Sequence, residues 1–289
     1  MANGHDLRLA APAKINVFLE VLGKRPDGYH ELETVMLRTD FCDYLTFDLL
    51  AENEVEFTCS DSSLPLDEKN LVVKAARLLQ SEFCVNRGCR IHLEKQIPHG
   101  AGLGGGSSDA ATTIMGLNQL WQLGLSPDEM AALGARLGSD IPFFFYGPAA
   151  VCHGRGEIVK TLSLTVSFNF VLFCPMVHCA TAEIFRRVRR DGQPMDAATV
   201  MSAIESGSTK ELAGGLYNRL QEATELFKPE LRQIPQLMRQ VRPQLLGTLM
   251  TGSGSAYFGL SHSRAEAQAV AEELTRLGQG IVRVLTCGP

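Results

Sequence analysis

The chain has 289 residues, enough for one large domain or two smaller ones with a sizeable core. Apolar residues make up 45% and charged residues 20%, the balance of a soluble globular protein. A net charge of −5 argues against nonspecific nucleic-acid binding, which needs a basic surface. No apolar run reaches membrane-spanning length, since the stretch Ile141–Cys152 is broken by Pro142, Gly147 and Pro148. The first residues, Met1 to Asp6, lack the charged-then-apolar order of a signal peptide. Eight cysteines form no C-x-x-C pair and read as small buried hydrophobes, so the expected setting is a reducing cytoplasm with no zinc site and no disulfides.

In chain order, Asp6–Val21 alternates as a strand, with Ile15, Val17, Leu19 and Val21 on one face and Lys14, Asn16, Phe18 and Glu20 on the other. Lys24-Arg25-Pro26-Asp27-Gly28 is a turn. Strands are predicted at Thr34–Arg38, Asp43–Leu50 and Glu54–Cys59, and an amphipathic helix at Leu71–Phe83. Cys89–Glu94 alternates as another strand. The next segment is Pro98-His99-Gly100-Ala101-Gly102-Leu103-Gly104-Gly105-Gly106-Ser107-Ser108, and then a helix with Ile114, Leu117 and Trp121 at helical spacing. Ser126 caps a helix running to about Gly138. Strands follow at Ala149–Cys152, Glu157–Leu162 and Phe168–Phe173. Helices follow at Thr181–Asp191, Ala197–Glu205, Lys210–Thr224 and Pro229–Val241. Leu245–Met250 and Ala256–Leu260 flank the turn Thr251-Gly252-Ser253-Gly254-Ser255. Ser263 starts a last helix, and Ile281–Thr286 is the final strand. The basic pairs Arg186-Arg187 and Arg189-Arg190 fall on a helix and read as a solvated face. Strands and helices mix in both halves, with a boundary near Glu157, so the class is α+β.

The glycine run is the most informative stretch. Glycines let backbone approach a ligand closely, and the helix N-terminus that follows adds unpaired N–H groups and a partial positive charge. Together they suit a polyanion such as a phosphate chain. The Walker pattern is excluded, because no lysine lies between Lys95 and Lys160. Gly100, Gly102 and Gly105 match the dinucleotide pattern formally. The region about twenty residues on, however, is a helix end and a cap rather than a second strand with an acidic residue.

Three separated motifs, Pro12-Ala13-Lys14-Ile15-Asn16, Pro98–Ser108 and Thr251–Ala256, together resemble the GHMP kinases, the small-molecule kinases of galactose, homoserine, mevalonate and phosphomevalonate. Asp27-Gly28-Tyr29-His30 and Gly138-Ser139-Asp140-Ile141-Pro142-Phe143-Phe144 bring the resemblance closest to the branch that acts on 4-diphosphocytidyl-2-C-methyl-D-erythritol in the non-mevalonate isoprenoid pathway. The resemblance covers about Leu9 to Leu285. It implies an α+β GHMP fold with an N-terminal ATP-binding domain, residues 1–156, containing a left-handed βαβ element. It implies a C-terminal domain, residues 157–289, of ferredoxin-like type. The implied activity is ATP-dependent phosphorylation of the 2-hydroxyl of that substrate, with ATP and Mg²⁺ and no nucleic-acid or membrane partner. The sequence leaves the oligomeric state open.

By the same resemblance, residues 98–108 bind ATP, and Ser107 and Ser108 donate hydroxyls to phosphate oxygens or bind Mg²⁺. Asp140 is the general base. Lys14 holds Asp140 charged and stabilises the alkoxide. Tyr29 stacks on the cytosine and His30 bonds its edge, with Phe185 as a second aromatic. Asn16 bonds either the substrate or Asp140, and Gly252, Ser253 and Gly254 line the substrate phosphates. From the residues alone, the alternative reading of the Gly252–Ser255 turn is a plain hairpin loop. Asp140, between Gly138 and Pro142, is expected on extended backbone. Asp109 is expected in the first turn of the helix after the loop. It suits the helix dipole there but carries the wrong sign for a group facing ATP. The metal ligands stay unassigned, with Ser108 a candidate. Other readings are a kinase of another small alcohol, a catalytically silent ligand-binding relative and, more distantly, a dinucleotide oxidoreductase.

Overall fold

The computed structural model describes residues 7–189, 192–277 and 280–289. Elements in chain order are β1 (Leu7–Lys24), β2 (His30–Leu50), β3 (Val55–Cys59), α1 (Leu71–Glu82), β4 (Gly88–Glu94), α2 (Gly105–Leu120) and α3 (Pro127–Ala135). After a 3-10 turn at Pro142–Phe145 come β5 (Ala149–Gly154), β6 (Ile158–Thr161), β7 (Phe168–Pro175), α4 (Thr181–Arg187), α5 (Ala198–Ser206) and α6 (Thr209–Gly215). The chain closes with β8 (Tyr217–Asn218), α7 (Leu220–Phe227), α8 (Gln233–Gln240), β9 (Gly247–Met250), β10 (Tyr257–Ser261), α9 (Arg264–Arg276) and β11 (Gly280–Cys287). The class is α+β, as the sequence predicts.

The chain groups into two compact units, and neither is one continuous stretch. The first takes residues up to Ala13, then 42–97 and 104–146; the second takes 14–41, 98–103 and 147–289. The long strands β1 and β2 supply residues to both.

In the first unit, β3 and β4 run parallel, joined by α1 as a βαβ element. β4 also pairs antiparallel with Tyr44–Leu50 of β2. Val72, Ala75, Ala76 and Leu79 of α1 are buried, as are Ile114 and Leu117 of α2, and the two helices pack together. Asn70 caps α1 through Val72 N–H, and Ser126 forms a capping box with Glu129 at α3, as serine three residues before glutamate predicts.

In the second unit, Leu32–Leu37 of β2 pairs antiparallel with β5, which pairs with β6. β1 pairs parallel with β8 at Phe18–Tyr217 and Leu19–Asn218. A four-stranded antiparallel sheet runs β11-β7-β10-β9. Its chain order of fourth, first, third and second strand is the ferredoxin-like arrangement. Phe170, Phe173, Tyr257 and Phe258 fill its core, with Ala267, Val270 and Leu274 of α9 also buried. Among the described residues no helix is long and apolar enough to cross a membrane.

Several elements differ from the sequence reading. Thr34–Arg38 and Asp43–Leu50 are parts of one strand, β2. The helix expected over Lys210–Thr224 is two, α6 and α7, separated by β8. Gly214-Gly215 weakens the helix there, and buried Asn218 spends its side chain on Met250 O, Gly252 O and Leu220 N–H. The helix begun at Thr181 is described to Arg187; Arg190 and Asp191 lie outside the described residues, as do Met1 to Asp6. Arg186 and Arg187 pair with Glu183 on an exposed face. None of the eight cysteines is in a disulfide, and five of them are buried; Cys84 is exposed, against the expectation. Burial pushes the Cys89 thiol up to about 12 and that of Cys174 to about 11.

Candidate functional site: a glycine loop, a buried lysine and a second glycine turn

The glycine loop leaves β4 and enters α2 through Gly104, which takes a left-handed backbone (φ 67°) and offers no side-chain cap. The first hydrogen bond of the helix runs from Ser108 N–H to Gly104 O, so the N–H groups of Gly105, Gly106 and Ser107 have no intrahelical acceptor. This is the anion-binding end of a 16-residue helix. Asp109 is the fifth residue of α2, not part of its first turn as expected. The helix starts at Gly105, four residues earlier than a loop running to Ser108 would allow.

Within the second unit, residues 101–103 of the loop are laced to β1 and to the Thr251–Ser255 turn. Lys14 N–H donates to Leu103 O (2.9 Å) and Ala256 N–H to Ala101 O (3.1 Å). Thr251 Oγ1 lies 3.3 Å from Gly102 O. Gly102 (φ 80°) comes so close to Thr251 that an added Cβ would sit 2.2 Å from its carbonyl oxygen. The Thr251–Ser255 turn is therefore packed on the glycine loop rather than standing free as a plain hairpin.

Lys14 and Asn16 lie in the part of β1 that is buried on both faces, Ala13 to Val21. Only 3% of Lys14 is exposed. Its Nζ donates to Asn16 Oδ1 (2.6 Å) and stands 3.4 Å from where a Cβ on Gly252 would be. Asn16 Nδ2 donates to Thr34 Oγ1 (2.8 Å), and Asn16 N–H donates to Thr251 Oγ1 (3.0 Å). Asn218 fixes the same turn through Gly252 O (2.8 Å), and Ser253 Oγ shares a hydrogen bond with Thr181 Oγ1 (2.9 Å). A buried ammonium is thus held by an oriented amide beside the buried backbone of a glycine turn, an arrangement that favours anionic oxygen.

Also in the second unit, His30 and Phe185 stack with ring centroids 5.3 Å apart. Tyr29 is half exposed, its backbone N–H held by Asp27 Oδ1 and its ring covered by the Arg155 guanidinium at 4.7 Å. Glu31 accepts from Gly154 N–H and pairs with Arg25, tying the Asp27–His30 turn to the turn that carries Arg155. His99 faces His178 at 6.3 Å on the exposed side of the loop.

In the first unit, Asp140 is half buried in a turn closed by Ile141 N–H to Gly138 O. Extended backbone was expected from Pro142. Instead Ile141 is helical (φ −62°, ψ −44°) and Pro142 opens the 3-10 turn, where its fixed φ is tolerated. Asp109 does not face outward. Lys95 Nζ pairs with its Oδ2 (2.9 Å) and with Asp43 Oδ2, and all three side chains are at most 4% exposed. Burial raises the Asp109 carboxyl well above its ordinary range, against the pull of Lys95. Burial would lower the Lys95 ammonium, but the two carboxylates reverse this and hold it above its ordinary value. Sequence reading missed Asp43 and Lys95; the misplaced charge of Asp109 was the only hint.

Ser108 Oγ, Asp109 Oδ1 and Thr112 Oγ1 are buried without a hydrogen-bond partner. Among the described residues no three His, Cys, Asp or Glu side chains gather as a metal cage. The orphaned Ser108 hydroxyl in the first turn of α2 is a hard oxygen donor, of the class that suits Mg²⁺ carried in on phosphate oxygens.

Residues 70–148 match the pattern of the GHMP kinases N terminal domain, and residues 200–280 match that of GHMP kinases C terminal. A Caldicellulosiruptor bescii protein named 4-diphosphocytidyl-2-C-methyl-D-erythritol kinase is 38% identical over 97% of this chain and 98% of its own. The Bacillus subtilis (strain 168) protein of the same name is 40% identical over 90% of both. A crystal structure of a 4-(cytidine 5'-diphospho)-2C-methyl-D-erythritol kinase superposes with TM-score 0.84 at 34% identity, covering 98% of this chain and 100% of that one. Homoserine kinase from Cytophaga hutchinsonii superposes at 0.76 with 16% identity over 99% of this chain and 96% of that one, and shares the fold.

Proposed function

Because the chain belongs to the 4-diphosphocytidyl-2-C-methyl-D-erythritol kinases of the GHMP family, we propose that it transfers the γ-phosphoryl group of ATP to the 2-hydroxyl of that cytidyl substrate. The reaction forms a bond from the alcohol oxygen to phosphorus and breaks the one to the β-phosphate oxygen. ADP leaves, and the hydroxyl proton goes to Asp140. The observation that carries this reading is Lys14, a buried ammonium held by Asn16 against the Gly252 turn, beside a glycine loop that opens a helix.

The roles follow from what phosphoryl transfer needs: positioning, charge neutralisation and a proton route. Residues 98–108 cradle the ATP phosphates through backbone N–H groups and the Ser107 and Ser108 hydroxyls. Lys14 stabilises the developing charge at the alcohol oxygen. Gly252, Ser253 and Gly254 offer backbone to the substrate diphosphate, and Asn16 orients the hydroxyl. Tyr29, His30 and Phe185 receive the cytosine, for which a half-exposed ring beside a stacked aromatic pair is suited. Mg²⁺, held through Ser108, would neutralise charge on the transferred phosphate. Residues 1–156 would form the nucleotide domain and 157–289 the second domain, in a cytoplasmic enzyme of the non-mevalonate isoprenoid pathway.

The test is to incubate the protein with ATP, Mg²⁺ and 4-diphosphocytidyl-2-C-methyl-D-erythritol and follow ³¹P NMR. A new phosphomonoester growing with ADP is expected. ATP bound with no monoester formed would overturn the substrate, and activity on another alcohol would replace it.

A further inference from the structure

The mechanism above leaves a buried ionic cluster unused. Lys95, Asp43 and Asp109 are each nearly inaccessible, and burying three charges is costly unless close pairing and hydrogen bonds offset the lost hydration. Their positions are informative. Asp43, on β2, accepts the backbone N–H groups of Gln96 and Ile97 (2.8 Å for Ile97) through Oδ1, and Lys95 through Oδ2. It thereby fixes the three residues that lead into the glycine loop. Lys95 then reaches across to Asp109, one residue beyond the loop's last serine. The Lys95 ammonium also lies against the first turn of α2, 3.0 Å from where a Cβ on Gly105 would be. A cation is disfavoured at the positive end of a helix, so it stays only because the two carboxylates hold it.

We propose that Asp43, Lys95 and Asp109 form a buried clip that joins the two ends of the glycine loop and sets its mouth for nucleotide phosphates, Lys95 being the positioning residue. The inference rests on the nucleotide role assigned to that loop. The clip fixes where the N–H groups of Gly105 to Ser107 point without touching the ligand. Its loss acts on nucleotide affinity rather than on the alcohol substrate.

Two variants test it by calorimetric binding of ADP, thermal unfolding and KM for each substrate. Lys95→Met strands two carboxylates. Lys95→Met/Asp109→Asn keeps the cluster's net charge, leaves Asp43 its two N–H donors and still breaks the tether. The double variant is expected to melt closer to wild type than the single one. Both are expected to bind ADP and ATP about tenfold or more weakly, with KM for the alcohol within about threefold. ADP affinity within about twofold of wild type in the double variant would show that only charge balance mattered and would overturn the positioning role. So would a double variant that fails to fold, since the cluster would then be a folding element. Failure of the wild-type protein itself to bind ADP would instead refute the nucleotide reading of the loop.

Discussion

Replacing Gly102 by alanine tests the close packing of the two glycine turns. Two costs follow from the structure. At φ 80° an L-residue is strained by about 1–2 kcal/mol. The new Cβ would also lie 2.2 Å from Thr251 O, where ordinary contact begins at 3.4 Å, so one backbone must yield by about 1 Å. Gly124 separates the two effects: its φ is 72°, and a Cβ there meets nothing within 4 Å. Gly124→Ala should cost the strain alone, a fall in melting temperature of about 2–8 °C with turnover unchanged. Gly102→Ala should fall further. It should also lose about a hundredfold in kcat, because an ångström of misplacement moves Thr251 and with it the seat of Asn16 and Lys14. Scanning calorimetry and steady-state phosphorylation of the cytidyl substrate measure both. A Gly102→Ala protein that melts with Gly124→Ala and keeps wild-type turnover would refute the packing argument.

Asp140→Asn keeps shape and removes the base, so kcat should drop about 10²–10⁴-fold while ADP affinity, read by calorimetry, is unchanged. Tyr29→Ala should raise KM for the cytidyl substrate about 5- to 100-fold with KM for ATP unmoved; equal effects on both would remove the stacking role. Glu20 is 1% exposed, bidentate to Arg219 (2.8 Å for each oxygen) and bonded to Val21 and Met195 N–H. Burial alone would raise its carboxyl, but these partners outweigh burial and hold it below the ordinary 4.5. Its contribution is therefore complete above pH about 4.5 and is lost as pH falls through the lower folded value. The melting-temperature gap between wild type and Glu20→Gln should be full at pH 7 and close below about pH 4. A gap that widens on acidification would contradict the sign.

The sequence by itself determined element types, because periodicity reports which side chains face a core: β3, α1, β4 and β7 lie within a residue or two of the expected spans. It also carried the family resemblance, because Lys14, Gly102 and Gly252 belong to three short runs that together resemble the GHMP kinases. Tertiary structure decided the rest. Whether β2 is one strand or two depends on partners in β4 and β5, far along the chain. The helix over Lys210–Thr224 breaks where Asn218 finds carbonyls of Met250 and Gly252 to satisfy. Asp140 turns because Ile141 N–H reaches Gly138 O, which overrides the bias of the residue before proline. Asp109 looked misplaced until Lys95 and Asp43 met it. A buried charge is tolerable only beside an opposite one, and Lys95 lies 14 positions from Asp109 and 52 from Asp43 in a chain that carries no local mark of the pairing.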